Sequence, residues 1–81
     1  MKKSIWSPGH EWLCLLLKKT REDAGLTQVE VAERLSKPQS FVSKYESGDR
    51  RLDLVELREV CRALDSPLSK LIASFEKGFP G

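Results

Sequence analysis

Residues 26–48, LTQVEVAERLSKPQSFVSKYESG, decide the fold because they read as two short helices joined by a tight break. Thr27-Gln28-Val29-Glu30 has the form of a capping box, in which the threonine oxygen accepts from an early amide and the glutamate reaches back. The helix it opens turns Val31, Ala32 and Leu35 inward and stops near Ser36-Lys37-Pro38. Proline suits the start of the next helix, where its missing donor costs nothing. That next helix should run to Glu46 or Ser47, with Gly48 closing it.

Outward from this pair, the punctuation stays helical. Ser7-Pro8 reads as a cap followed by proline at the first helical position, and Gly25 as a stop. Between them Leu13, Leu16, Leu17, Thr20 and Ala24 recur at helical spacing, over about four turns. Asp53-Leu54-Val55-Glu56 is a second capping box, opening a helix that should bury Leu54, Leu57, Val60, Cys61 and Leu64. Ser66-Pro67 should cap a last helix carrying Leu68, Leu71, Ile72 and Phe75. No segment alternates with period two long enough for a strand. The expected fold is all-α: a compact five-helix domain over residues 10–76, an arm and helix cap at 1–9, and a frayed tail at 77–81.

Composition narrows the function. A chain of 81 residues buries only about 60–65% of its unfolded surface, so dimerisation is a natural source of extra stability. Cys14 and Cys61 lie too far apart in sequence for a metal knuckle or redox pair, and read as small core or near-core residues in a reducing cytoplasm. The longest apolar run, Trp12 to Leu17, is far shorter than a membrane span. MKKSIW at residues 1–6 lacks the apolar region and cleavage site of a signal peptide, which leaves the cytoplasm as the expected compartment. Net charge is +2, but residues 1–51 hold ten Lys/Arg against seven Asp/Glu while residues 52–81 hold four against five. The basic half contains the helix pair, as a nucleic-acid surface would require, although ordinary solvated charge fits the same numbers.

The polar side of the later helix says more. At 100° per residue, Gln39, Ser40, Ser43, Lys44 and Ser47 fall within an arc of about 140°, opposite Phe41, Val42 and Tyr45. Glutamine pairs bidentately with adenine, serine donates or accepts, and lysine donates to guanine. A merely solvated face is usually filled with Glu, Lys and Arg, which favour helix more than serine does. Chemistry alone leaves base reading and solvated surface evenly matched.

The geometry of two helices and a turn of about three residues is that of a helix-turn-helix, whose later helix enters the major groove. Residues 26–65, LTQVEVAERLSKPQSFVSKYESGDRRLDLVELREVCRALD, resemble the phage repressor, Cro and XRE-like family. The matching features are Leu26-Thr27-Gln28, Ala32, Leu35, Val42, the Glu46-x-Gly48 ending and the apolar spacing of the fourth helix; with helix one they cover roughly residues 10–75. The resemblance implies that Gln39, Ser40 and Lys44, with Ser43 beside them, contact bases. It implies that Gln28 touches a phosphate and steadies Gln39, and that Arg50 and Arg51, with Lys37 and Ser47, contact further phosphates. It also implies an internal ion pair between Arg21 and Glu46.

Five positions depart from the family pattern. Ser36-Lys37 replaces the usual small turn, and Pro38 replaces a common serine cap, whose hydrogen bond is then either missing or supplied by another group. Phe41 stands where relatives carry a small polar residue; it either packs against helix two or meets a thymine methyl. Thr20 replaces an aliphatic residue in helix one.

Nothing in the sequence points to an enzyme or a cofactor. His10, the one histidine, has no catalytic partner nearby and reads as a solvated residue at a helix start. No serine sits in a G-x-S-x-G elbow, and no phosphate-cradling loop or metal-ligand cluster occurs. The expected function is sequence-specific transcriptional regulation by a stand-alone homodimer on double-stranded DNA with a palindromic operator, regulated through its own concentration. Leu68, Leu71, Ile72, Phe75 and Phe79 are the expected subunit interface, more apolar surface than one small core needs. The same surplus fits the alternative, an antitoxin or adaptor that uses this fold to hold a protein partner.

Overall fold

The computed structural model describes residues 7–79. Within them five helices follow one another: α1 Pro8–Asp23, α2 Gln28–Leu35, α3 Gln39–Ser47, α4 Leu54–Ala63 and α5 Leu68–Gly78. Residues 1–6 of the expected arm and residues 80–81 of the expected tail lie outside the described residues.

Local chemistry explains most of the helix starts. Ser7 accepts from the His10 amide. Thr27 with Glu30, and Asp53 with Glu56, both form complete capping boxes, each satisfying two early amides that would otherwise lack partners. Pro38 stands at the cap, as its replacement of the usual serine implies, whereas Pro67 differs from expectation. Each stands at the cap itself rather than at the first helical position, and neither cap carries a side-chain hydrogen bond. The reason lies in how the preceding helices end. Ser36 and Asp65 adopt left-handed backbone at φ 56° and 57°, and the next amides, of Lys37 and Ser66, bond back to the carbonyls of Ala32 and Cys61. Gly25 closes α1 in the same way, with Leu26 bonding back to Arg21. Ser66 therefore lies one residue before the cap of α5, its amide spent in closing α4.

α2 packs on α3 and α4, α1 on α3 and α5, and α4 on α5. Their shared core contains Leu16, Leu17, Val31, Ala32, Val42, Tyr45, Val60, Cys61, Ala63, Leu64 and Leu71. Cys14 and Cys61 are both buried free thiols, and burial pushes both pKa values up, away from reactivity. Leu54, expected inside, is exposed at the first turn of α4, as is Val55. Ala24 is also exposed, since it follows the last turn of α1 instead of lying within it.

Two features of the core have consequences. α5 runs beyond the expected boundary at 76 because its end packs against α1. Trp12 Nε1 donates to the Phe75 carbonyl, Phe79 stacks on Phe75, and a Cβ on Gly78 would stand 2.5 Å from the Trp12 ring. α5 therefore continues to Gly78, two residues past the expected boundary. Tyr45, only 1% exposed, places its hydroxyl in the core without a hydrogen-bond partner among the described residues, and burial raises its pKa. An unpaired buried hydroxyl costs about 1–3 kcal/mol of desolvation. Tyr45→Phe is thus expected to match or exceed the parent in urea unfolding, by about 1 kcal/mol. A clear loss of stability would mean that the hydroxyl has a partner.

Candidate nucleic-acid interface

α3 is anchored by Val42 and Tyr45, at 0% and 1% exposure, and by the half-buried Phe41, edge-on to Tyr45. With that side fixed, Gln39, Ser40, Lys44 and Ser47 are exposed on the other, and Ser43 is partly exposed among them. Ser47 Oγ donates to the Lys44 carbonyl, so this serine is occupied with its own helix.

Gln39 is held in place. Its Nε2 donates to Gln28 Oε1 at 2.7 Å, and Gln28 Nε2 donates to Glu46 Oε1 at 2.9 Å. Glu46 takes two further bonds from Arg21, Nε to Oε2 at 2.7 Å and Nη2 to Oε1 at 3.1 Å. Arg21 Nη1 adds a bond to the Leu26 carbonyl, at the turn into α2. The ion pair is deeply placed, with side-chain exposures of 11% and 4%, and the carboxylate raises the pKa of the guanidinium further. Three helices are thereby tied behind one exposed glutamine.

Beyond α3, Arg50 makes a two-pronged pair with Glu56 at 3.0 and 2.8 Å. That guanidinium, together with the amide of Asp53, holds the Glu56 carboxyl down to about 2. Arg50 also lies over the Phe41 ring at 4.9 Å, with Lys37 Nζ 5.4 Å from the same ring. Phe41 therefore packs between core and cations, which supplies the role its sequence position left open. A shallow depression beside the strip is lined by Lys37, Lys44 and Arg50, with Asp49 the one acidic residue among them, and by Pro38, Ser40 and Phe41. Arg51 is exposed.

His10 corrects the sequence reading: it is 8% exposed, not solvated. Its Nε2 lies 3.3 Å from the carbonyl of Gly48 and 3.9 Å from Cys14 Sγ. A carbonyl only accepts, so this contact requires the proton on Nε2, and it ties α1 to the end of α3. A single histidine three residues after a cap carries no sequence signal for such a long-range contact.

Of the five residues expected at a subunit interface, Leu71 is a core residue at 3% exposure. It fills the space between α5 and its neighbours and offers no side chain to a partner. Leu68 and Phe75 are half-buried against the core, and Phe79 is half-buried on Phe75. Ile72 is 45% exposed and borders an apolar depression lined by Leu13, Leu57, Leu71, Phe75 and Glu76.

Among the described residues, no group of His, Cys, Asp or Glu is placed to hold a metal ion. No helix among them is long and apolar enough to cross a membrane. Two short helices joined by a closed turn, the second presenting a polar strip from an anchored base, define a helix-turn-helix DNA-binding domain. The chain belongs to the XRE-type helix-turn-helix family of DNA-binding transcriptional regulators, whose family model, described as "Helix-turn-helix", matches residues 17–71. It is similar to a solved XRE-family like protein from Pseudomonas syringae pv. tomato str. DC3000, at 41% identity and a TM-score of 0.85, covering 96% of this chain and 95% of that one. The clp gene regulator ClgR from C. glutamicum shares 25% identity at a TM-score of 0.78, over 88% of this chain and 91% of that one. A mutant of the restriction-modification controller protein C.Esp1396I shares the fold at 22% identity and a TM-score of 0.81, over 88% and 90%. No curated protein matches the chain significantly.

Proposed function

We propose that the protein is a cytoplasmic homodimer that binds a palindromic operator, with α3 of each subunit in successive major grooves about 34 Å apart. Gln39, Ser40, Ser43 and Lys44 read base edges, while Gln28, Lys37 and Arg51 meet phosphates, with Arg50 and Ser47 weaker contributors because each is already engaged within the chain. The observation that carries this reading is the tethered, exposed Gln39 at the start of a polar strip whose other side is locked in the core. A solvated face has no need of a side chain held from behind. The similarity to a protein described as a gene regulator supports the same reading. Phosphate contacts set the register, base contacts choose the sequence, and occupancy controls transcription. The apolar border around Ile72 supplies the proposed subunit contact.

Selection from a randomised duplex pool by the purified protein tests this directly. A two-fold symmetric motif with half-sites about one helical turn apart is the expected product. Weak, salt-sensitive retention with no enriched sequence would move the reading to a protein partner. On the selected site, Gln39→Ala should lose about 1–3 kcal/mol and relax specificity at one base pair per half-site. Equal loss on every sequence would remove Gln39 from the reading face. Arg51→Ala should weaken all sequences alike and lower the salt slope by about one. Arg50→Ala should change that slope less, because Glu56 already neutralises its charge.

A further inference from the structure

Arg50 stands at the edge of the polar strip with its charge already answered from inside the chain. Its guanidinium meets the Glu56 carboxylate side by side, Nη1 to Oε1 at 3.0 Å and Nη2 to Oε2 at 2.8 Å. Nη1 also donates to the Arg51 carbonyl at 2.7 Å, so three of the five N–H groups are spent. The Phe41 ring backs the guanidinium at 4.9 Å, and Arg50 lines one depression with Lys37 and Lys44. Carboxylate and phosphate engage arginine through the same two parallel bonds. Glu56 therefore occupies the edge of Arg50 that a DNA phosphate would take. Its carboxyl, held down to about 2 by Arg50 first and the Asp53 amide next, keeps its charge at any pH suited to binding. Side-chain exposures of 40% and 31% leave the pair open to competition from another anion.

We propose that Glu56 acts as a resident phosphate mimic, which withholds Arg50 from the DNA backbone and so limits affinity for DNA of every sequence. The proposal rests on α3 being the DNA-reading helix, and the experiment separates the two. A phosphate contact adds affinity without sequence information, so withholding one lowers retention on unrelated DNA. Structural duty does not account for the charge of Glu56. Its carboxylate closes the capping box on the Asp53 amide at 3.0 Å, a task that needs an acceptor oxygen but no charge. An ion pair this exposed adds little to folding. What the charge does is hold Arg50, and Arg50 is the cation that Phe41 fixes beside the strip.

Binding of the full chain is measured over a salt series, on the selected duplex and on an unrelated one. The parent is compared with Glu56→Gln, with Glu56→Gln combined with Arg50→Ala, and with Glu59→Gln. Glu56→Gln keeps the oxygen that the capping box needs and removes only the charge. Glu59 lines the same groove as Glu56, so Glu59→Gln removes an equal charge outside the pair. Glu56→Gln should bind both duplexes about fivefold to tenfold more tightly at about 0.1 M salt, and steepen the salt slope by about 0.9. Adding Arg50→Ala should cancel both changes, and Glu59→Gln should reproduce neither. A gain that survives Arg50→Ala, or that Glu59→Gln matches, comes from net charge and overturns the proposal. If Glu56→Gln brings no gain while Arg51→Ala still lowers the slope, the mimic is overturned and the DNA reading stands. A parent that retains neither duplex removes the DNA reading and the mimic with it.

Discussion

Arg21→Ala is expected to remove about 3–5 kcal/mol of folding stability, because it strands an ionised carboxylate in the interior. Glu46 has a side-chain exposure of 4%, and it would keep only the amide of Gln28 as a donor. A domain of 81 residues has about 4–12 kcal/mol to lose, so the variant should sit close to its unfolding transition at room temperature. Urea unfolding read by circular dichroism gives the value, with the slope checked to confirm that both chains unfold as one unit. The effect comes from leaving one charge alone, not from the net worth of the pair. Arg21→Met combined with Glu46→Leu should therefore recover most of the loss, since two apolar side chains leave no buried charge. A change under about 1 kcal/mol for Arg21→Ala would place the pair among ordinary surface ion pairs.

Ile72→Glu should leave the folded subunit almost as stable and yet reduce operator affinity more than any single base-contact variant. Ile72 is 45% exposed, so little of the subunit's own core depends on it. In a two-fold interface each substitution appears twice, and two carboxylates brought together with desolvation cost several kcal/mol. Sedimentation at micromolar concentration should then show a monomer, and affinity for the full palindrome should approach that for a half-site. Its neighbour gives the contrasting case: Leu71→Ala should cost about 2–5 kcal/mol of subunit stability through the cavity it leaves. Ile72→Glu that sediments as a dimer would place the subunit contact elsewhere.

The contrast between those neighbours shows where sequence reading stops. Periodicity put Leu68, Leu71, Ile72 and Phe75 on one apolar face, correctly, but a helix five turns the same stripe toward both core and solvent. Which member of the stripe is left over depends on where α1 and α4 lie, and that is set by packing between distant segments. His10 shows the same limit from the other side. A polar residue near a helix start reads as solvated, and only the approach of the α3 end, 38 residues away, buries it. Leu54 reads as inward by its spacing, but at the first turn of α4 it is exposed.

The helix-turn-helix itself was legible because its determinants act over three or four residues. Capping boxes, the left-handed glycine at 25, and the arc that separates Val42 and Tyr45 from Gln39 and Ser43 all follow from bonds and angles within one or two turns. The turn chemistry was only half legible, since Ser36 and Asp65 take the left-handed conformation that glycine would have announced. The sequence by itself determined five helices, their order, and a polar strip on the third, because helical hydrogen bonds and amphipathic spacing are local. Only the tertiary structure decided that Gln28 joins the Arg21–Glu46 pair to Gln39, that Glu56 takes up Arg50, and that Leu71 is core while Ile72 is surface. Those outcomes depend on desolvation and on geometry between segments far apart in the chain, which no short stretch of sequence contains.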